Sequence, residues 1–338
     1  MNIKIESDDE LKQLAIKVLA NYDIVPQEIS VIQGGSIKAV WKLRYNNKIY
    51  CLKRLKQTLD KVIFSVNAQL YIKKAGGNVP DVYLAKDGES IVQFNGQLFV
   101  LYEWLTGSNL NFSTPNDLSN AIKGLAKFHL YSKGYVAKEG ARISSKLGKC
   151  PSQYESMMRK MIAWKEIAKA KGTSQHQTYL KYVDEIVNIA DKAIILLKNS
   201  RYQDLISVES TSPVLCHQDY GKGNALQTEN GVVVIDLDGV TFDLPSRDLR
   251  KLIGKMAENN GKWDETRIAD VISWYSSVNK LSEDEKKILY IDLLFPHWFF
   301  GLVKNQYDIM KDLKSVEIEK IAKLEISKLA IINKLIER

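Results

Sequence analysis

His217, Asp219 and Asn224 form the pattern H-x-D-x4-N, and the apolar run 232–235 that follows leads into Asp236 and Asp238. These residue types suit one kind of chemistry. A hydroxyl about to attack a phosphoryl group needs a carboxylate to orient it and take its proton, which Asp219 can supply. Magnesium on a triphosphate is a hard ion that takes oxygen ligands, so the amide oxygen of Asn224 and the carboxylate of Asp236 suit it. A loop that holds the base and the first ligand, followed by a strand that delivers the second, converges all three on one point, the layout of a phosphotransferase site. Asp238 lies two residues beyond Asp236. On an extended strand it shares that face and is a candidate additional metal ligand. His217 is read as a packing residue that fixes the loop from beneath. The competing account is a Gly- and Asn-rich turn with acids at a wet rim.

The elements ahead of the loop must position its partners. Residues 7–22 read as an amphipathic helix with Leu11, Leu14, Ala15, Val18 and Leu19 on one face. Strand patterns follow at 29–33, 39–45 and 49–55, the last two joined by Asn46-Asn47. Gly34, Gly35 and Ser36 sit between the first two strands and admit two readings, a backbone cradle for phosphate or a plain hairpin turn. In the third strand Lys53, Arg54 and nearby Lys56 compete as the inward cation. A period of two puts Cys51, Lys53 and Leu55 on one face, turning Lys53 inward and Arg54 out. A helix at 61–72, a Gly-Gly turn at 75–80 and strands at 90–94 and 97–103 complete this half.

Beyond Gly107 the pattern becomes helical. The stretch 115–132 carries Leu118, Ile122, Leu125 and Phe128 at helical spacing, which reads His129 as a buried structural residue. Residues 138–171 hold nine Lys/Arg against three Glu, most of the +8 net charge. They form either a site for an anionic partner or a solvated helix face. A helix at 178–197 precedes the loop, and Asp248, opening a helical run at 249–256, is read as bracing the loop or capping that helix. Residues 264–338 read as three helices. His297, in the aromatic cluster 295–300, has no second His or Cys nearby and so is not a metal ligand.

Composition sets limits. A chain of 338 residues with 45% hydrophobic and 26% charged residues is globular and large enough for two lobes. No apolar run reaches the roughly 18 residues of a membrane span. The acidic, polar N-terminus is not a secretory signal, so synthesis in the cytoplasm is expected. Cys51, Cys150 and Cys216 are too few and too scattered for a disulfide framework or metal site. No nucleic-acid-binding motif accompanies the basic segment, and no G-x4-G-K-[ST] loop is present.

The loop HQDYGKGN (217–224), the segment IDLDG (235–239), DLPSRDL (243–249), LYEWLTG (101–107) and LAKFH (125–129) together resemble the aminoglycoside phosphotransferase and choline kinase superfamily. Within it, the chain is similar to the CotS/CotI-type spore coat proteins over about residues 5–335. The resemblance implies an α+β, bilobal protein-kinase-like fold. A small antiparallel-sheet nucleotide-binding lobe would span 1–105 with a hinge at 103–107, and a larger helical lobe 106–338 would carry the catalytic loop 217–224 and metal strand 232–238. It implies ATP and Mg2+ as cofactors, with Asp219 as base, Asn224, Asp236 and Asp238 around the metal, and Lys53 on the α- and β-phosphates. Gly34, Gly35 and Ser36 would lie near the phosphates, and Glu103, Trp104 and Leu105 would meet the adenine. Kinases of this shape usually carry a glutamate on the next helix to pair with the lysine. Here 61–72 contains no acid, and Asn67 or Gln69 would stand in its place.

Two functions follow. One is ATP-dependent phosphoryl transfer to a hydroxyl or amino group of an unidentified small molecule. The other is a structural spore coat protein with a degenerate kinase cleft. The basic segment disfavours a cationic aminoglycoside or choline as acceptor. By resemblance the protein is made in the mother cell and placed in the spore coat, with other coat proteins as candidate partners.

Overall fold

The computed structural model describes residues 6–35 and 38–338. Ser36 therefore lies outside the described residues. The chain forms two compact units, 1–144 with 219–241, and 145–218 with 242–338. In the first unit the helix after residue 114 packs on the helix at 59–74 and on the strand at 231–234.

The first unit opens with α1 (Asp8–Leu19). Ser7 caps it: its Oγ accepts from the Glu10 amide (3.2 Å) while the Glu10 carboxylate accepts from the Ser7 amide (2.9 Å). Strands β1 (Glu28–Gln33), β2 (Ala39–Tyr45) and β3 (Lys48–Leu55) follow. Asn46 and Asn47 both have positive φ, 47° and 60°, the turn that matches the twist of a two-residue hairpin. Helix α2 (Leu59–Lys74) leads to the short strand β4 (Val82–Tyr83), then β5 (Val92–Phe94) and β6 (Gln97–Glu103), joined by Asn95-Gly96. The antiparallel sheet runs β1-β2-β3-β6-β4, with β5 also on β6.

Strand β6 is buried on both faces. Phe99 and Leu101 join Trp41, Leu43 and Leu52 under α1, whereas Leu98, Val100 and Tyr102 meet Val62 and Val66 of α2. Arg54 is on the α1 side with Leu52, and this corrects the expectation that it points out. Alternation holds, but the outer face is covered. Arg54 is 1% exposed and its guanidinium pairs with Glu6 at 2.6 Å. Lys56, by contrast, is exposed.

Strand β7 (Ser108–Asn109) and α3 (Pro115–Ser132) follow. The chain then enters the second unit through α4 (Cys150–Lys171), α5 (Ser174–Lys198), α6 (Tyr202–Leu205) and β8 (Val214–Cys216). It returns to the first unit for β9 (Ala225–Thr228) and β10 (Gly231–Val234), an antiparallel hairpin paired to β7. The hairpin fits against α3 because Gly124 has no side chain: a Cβ there would lie 2.7 Å from Val232 Cγ1. Expected as one strand through 238, this segment leaves the extended conformation after Val234. Asp236 is left-handed (φ 61°, ψ 58°) and 237–239 form a 3-10 turn.

The second unit continues with β11 (Thr241–Asp243), which pairs with β8, and α7 (Ser246–Asn260). Residues 264–338 form five helices where three were expected: α8 (Glu265–Ser276), α9 (Glu283–Leu294), α10 (His297–Tyr307), α11 (Ser315–Ser327) and α12 (Leu329–Glu337). The extra breaks fall at Pro296 and at Lys328. The Lys328 ammonium turns inward to Glu325 and to Phe295 O (3.1 Å), while Glu325 accepts from the amides of Trp298 (2.8 Å) and Phe299 (3.1 Å). Helix α10 has no side-chain cap of its own and is capped by an acid from α11. Rings stack in this core, Trp164 on Tyr307 and Phe300, Tyr179 on Phe299.

Candidate functional site

Strands β2, β3 and β6 and the hairpin β9–β10 enclose a cavity of about 280 Å³ in the first unit. Val40, Tyr102, Leu226 and Ile235 make apolar walls, and Cys51, Lys53, Asn224, Asp236 and Asp238 also face it. The Lys53 ammonium lies 2.5 Å from Asp236 Oδ1 and 2.6 Å from Asp238 Oδ2. Lys38, just before β2, adds a second cation 3.6 Å from Asp236 and 3.8 Å from Asp238.

Local structure explains this convergence. The Asn224 carbonyl accepts from the Ile235 amide (3.0 Å), so the residue that ends the loop is fastened beside the one before Asp236. The Asn224 amide nitrogen donates to Asp219 O at 2.9 Å and to Asp219 Oδ2 at 3.3 Å. Asn224 is half-buried and Asp219 exposed. Tyr220 ties the loop to α3 through its hydroxyl, which donates to Ala121 O at 2.6 Å.

Two carboxylates share one buried ammonium, and their titration diverges accordingly. Partial burial pushes Asp236 up, but Lys53 overcomes it and holds this carboxyl below the ordinary range. Deeper burial and the charge of Asp236 carry Asp238 above that range despite Lys53. Burial works against the Lys53 ammonium, yet the two acids raise it above a free lysine. Burial also pushes the Cys51 thiol up to about 11, so it is protonated near neutral pH.

The remaining residues read from the sequence fall in different places. Gly34 and Gly35 adjoin the cavity-lining Gln33, and the Gly35 carbonyl accepts from the Arg54 guanidinium. Glu103, Trp104 and Leu105 line the cavity at the end of β6. The Glu103 carboxylate is turned to the Asp81 amide (3.2 Å), and Lys42 stands over the Trp104 ring, 4.9 Å from its centroid. The Glu103 and Trp104 amides are engaged with Asp81 O (2.9 Å) and Ile49 O (3.2 Å). On α2, Asn67 bonds Ile63 O (2.8 Å) and Gln69 bonds Pro80 O (2.7 Å). Sequence reasoning missed Gln33 and Lys38. Lys38 had a signal, being the first cation after the Gly-Gly turn.

In the second unit, His217 is 1% exposed and its backbone amide donates to Asp248 (2.6 Å), as does that of Gln218 (3.0 Å). Asp248, in the first turn of α7, thus braces the start of the loop, where Gln218 holds a strained φ of 70°. Among the described residues, four of the nine cations in the basic segment are ion-paired, all on α4. On α4, Arg159 meets Glu155, Lys160 Asp308, Lys165 Asp184 and Lys169 Glu166. A second cavity, about 180 Å³, is lined by Tyr154, Arg250, Asp292 and His297 among others. The Asp292 carboxylate accepts there from the Tyr154 hydroxyl and lies 2.8 Å from His297 Nε2.

Magnesium and a nucleotide fit the first cavity on its donor chemistry. Asn224 and Asp236 offer the oxygen ligands that a hard divalent cation takes, in a cluster where the two carboxylates face Lys53 and Lys38.

A family model described as "Spore coat putative kinase YutH" matches residues 17–329. Spore coat protein S of Bacillus subtilis (strain 168) is 24% identical over 310 residues, 91% of this chain and 88% of that protein. An aminoglycoside phosphotransferase from Alicyclobacillus acidocaldarius subsp. acidocaldarius DSM 446 has a TM-score of 0.79 to this chain at 17% identity, covering 95% of each. An amicoumacin kinase in complex with AMP-PNP, Ca2+ and Ami has a TM-score of 0.60 at 14% identity, covering 96% of this chain and 93% of that one. The fold is thus the kinase-like α+β fold of the aminoglycoside phosphotransferases. Among the described residues no helix is long and apolar enough to cross a membrane.

Proposed function

The chain belongs to this spore coat kinase family, and on that premise we propose that it is an ATP- and magnesium-dependent phosphotransferase to a hydroxyl or amino group of a small molecule, acting in the spore coat beside other coat proteins. One observation carries the reading. Lys53, Asn224, Asp236 and Asp238, drawn from three separate stretches of chain, face a single apolar-walled cavity. In this reading 1–105 is the nucleotide-binding lobe with its hinge at 103–107, and 106–338 is the helical lobe that supplies loop 217–224 and segment 232–238.

Each side chain has a task the geometry supports. The adenine edge meets the Leu105 amide and the Glu103 carbonyl, since the Glu103 and Trp104 amides are already bonded. Gly34 and Gly35 pass near the phosphates. Lys53 binds phosphate oxygens. Asn224 and Asp236 hold magnesium, with Asp238 beside them. Magnesium, when bound, neutralises charge on the phosphate oxygens. Asp219, oriented by the Asn224 amide, holds the acceptor hydroxyl and takes its proton.

Calorimetry of ATP binding with and without magnesium tests this. The wild-type chain binds ATP with a magnesium-dependent gain that Asp236→Ala removes. In an acceptor screen, Asp219→Asn keeps ATP binding but loses about 10²- to 10⁴-fold in transfer rate. Absence of binding at millimolar ATP in the folded protein would transfer support to the second reading, a structural coat protein with a retired cleft. The lack of any acid in 61–72 favours that alternative.

A further inference from the structure

We propose that Asp238 is the positioning residue for Lys53, taking the place of the acid that α2 lacks, and that Asn224 and Asp236, without Asp238, hold the metal. This inference rests on the phosphotransferase reading above.

A lysine 7% exposed must be paired, because an isolated buried ammonium is far too costly. Helix α2 cannot supply the partner. Residues 61–72 contain no Asp or Glu, and the side-chain NH2 groups of Asn67 and Gln69 donate to Ile63 O and Pro80 O, so the helix offers Lys53 no negative charge. Asp238 reaches the ammonium at 2.6 Å. Its 3-10 turn packs against α2, and the Gln57 amide, just ahead of α2, donates to the Asp238 carbonyl at 3.3 Å. The turn thus delivers to Lys53 the carboxylate that the helix does not carry.

Two ammoniums approach both carboxylates, Lys53 at 2.5 and 2.6 Å and the more exposed Lys38 at 3.6 and 3.8 Å, so charge balance does not choose between the acids and access does. The two acids differ in access: the Asp236 side chain is 35% exposed and that of Asp238 17%. Asp236 also sits at the left-handed corner next to Ile235, whose amide is tied to Asn224. Asp236 is therefore the acid placed for metal with Asn224, and Asp238 the one placed for Lys53.

The test uses the full-length chain in two measurements. The first needs no nucleotide: urea unfolding of Lys53→Met, Asp238→Asn and the double variant. The expected result is a tenfold or larger departure from additivity in the unfolding constant, about 1.4 kcal/mol. A departure under twofold overturns the pair. The second is ATP calorimetry. Asp238→Asn should lower affinity about tenfold with and without magnesium while keeping the magnesium-dependent gain, which Asp236→Asn loses. Adding Gln69→Glu to Asp238→Asn should restore affinity to within threefold. Loss of the magnesium gain in Asp238→Asn would make Asp238 a metal ligand and overturn the assignment. A wild-type chain that binds no ATP would sink the phosphotransferase reading, while the unfolding cycle would still decide whether Lys53 and Asp238 are coupled.

Discussion

Lys53 and Asp236 are 183 positions apart in the chain, and their charged atoms lie 2.5 Å apart. That contact joins the third strand of the sheet to the turn that follows the β9–β10 hairpin. It makes Lys53 the hinge between the nucleotide cavity and the residues placed for metal. Replacing Lys53 by Met leaves two adjacent carboxylates with only the more distant Lys38 ammonium, so repulsion between them gains on attraction. ATP affinity should fall tenfold or more by calorimetry. Unchanged affinity would show that Lys53 takes no part in phosphate binding.

Arg54 ties Glu6 and the Gly35 carbonyl together beneath the sheet. Arg54→Leu removes the donor and leaves that carbonyl without it, a cost of about 1–3 kcal/mol. Urea unfolding should report the loss, and ATP affinity should weaken as the turn after β1 loosens. Arg54→Lys should not restore it, because one ammonium cannot replace a planar fork with several partners.

Gly124 lets α3 approach the hairpin. A methyl group there meets Val232 at 2.7 Å and the Tyr220 hydroxyl at 3.1 Å. Gly124→Ala should cost about 1–3 kcal/mol by overpacking. Since Tyr220 anchors the loop, the variant should also lose part of the magnesium-dependent ATP binding. Retention of both stability and binding would show that the hairpin shifts freely.

Acid should destabilise the second unit well before ordinary carboxylates titrate. Burial, and the charge of Arg250, push His297 down to about 3 from its usual 6.5. The unfolded chain therefore takes up this proton first as pH falls. The neutral imidazole's stability is complete above about pH 6.5 and is lost progressively towards pH 3, by up to about 1.4 kcal/mol per pH unit. Asp292 is held below the usual carboxylate range, burial being outweighed by Arg250 and His297, so its own contribution fades only below about pH 3.8. Urea midpoints should drop between pH 7.5 and pH 5, and His297→Gln should flatten that slope. A slope identical in the variant would assign the acid sensitivity elsewhere.

Local pattern was legible in the chain itself. The 115–132 helix, the Asn46-Asn47 hairpin and the H-x-D-x4-N loop are short-range features, set by side-chain period and turn chemistry between near neighbours. The sequence also nominated Lys53, Asn224 and Asp236, which the fold gathers around one cavity. Only the tertiary structure decided which charge meets which. Arg54 goes inward because α1 covers its face. Asp236 and Asp238 reach Lys53 from a turn and not from a strand, because the backbone turns left-handed at Asp236. The α4 cations meet acids from α5 and from Asp308, which no count of basic residues foretells. Glu325 caps a helix that begins 28 positions earlier, at His297. Such pairings depend on packing between distant segments. Desolvation makes an unpaired buried charge costly, so packing compels a partner for each, and the one-dimensional pattern does not say where that partner comes from.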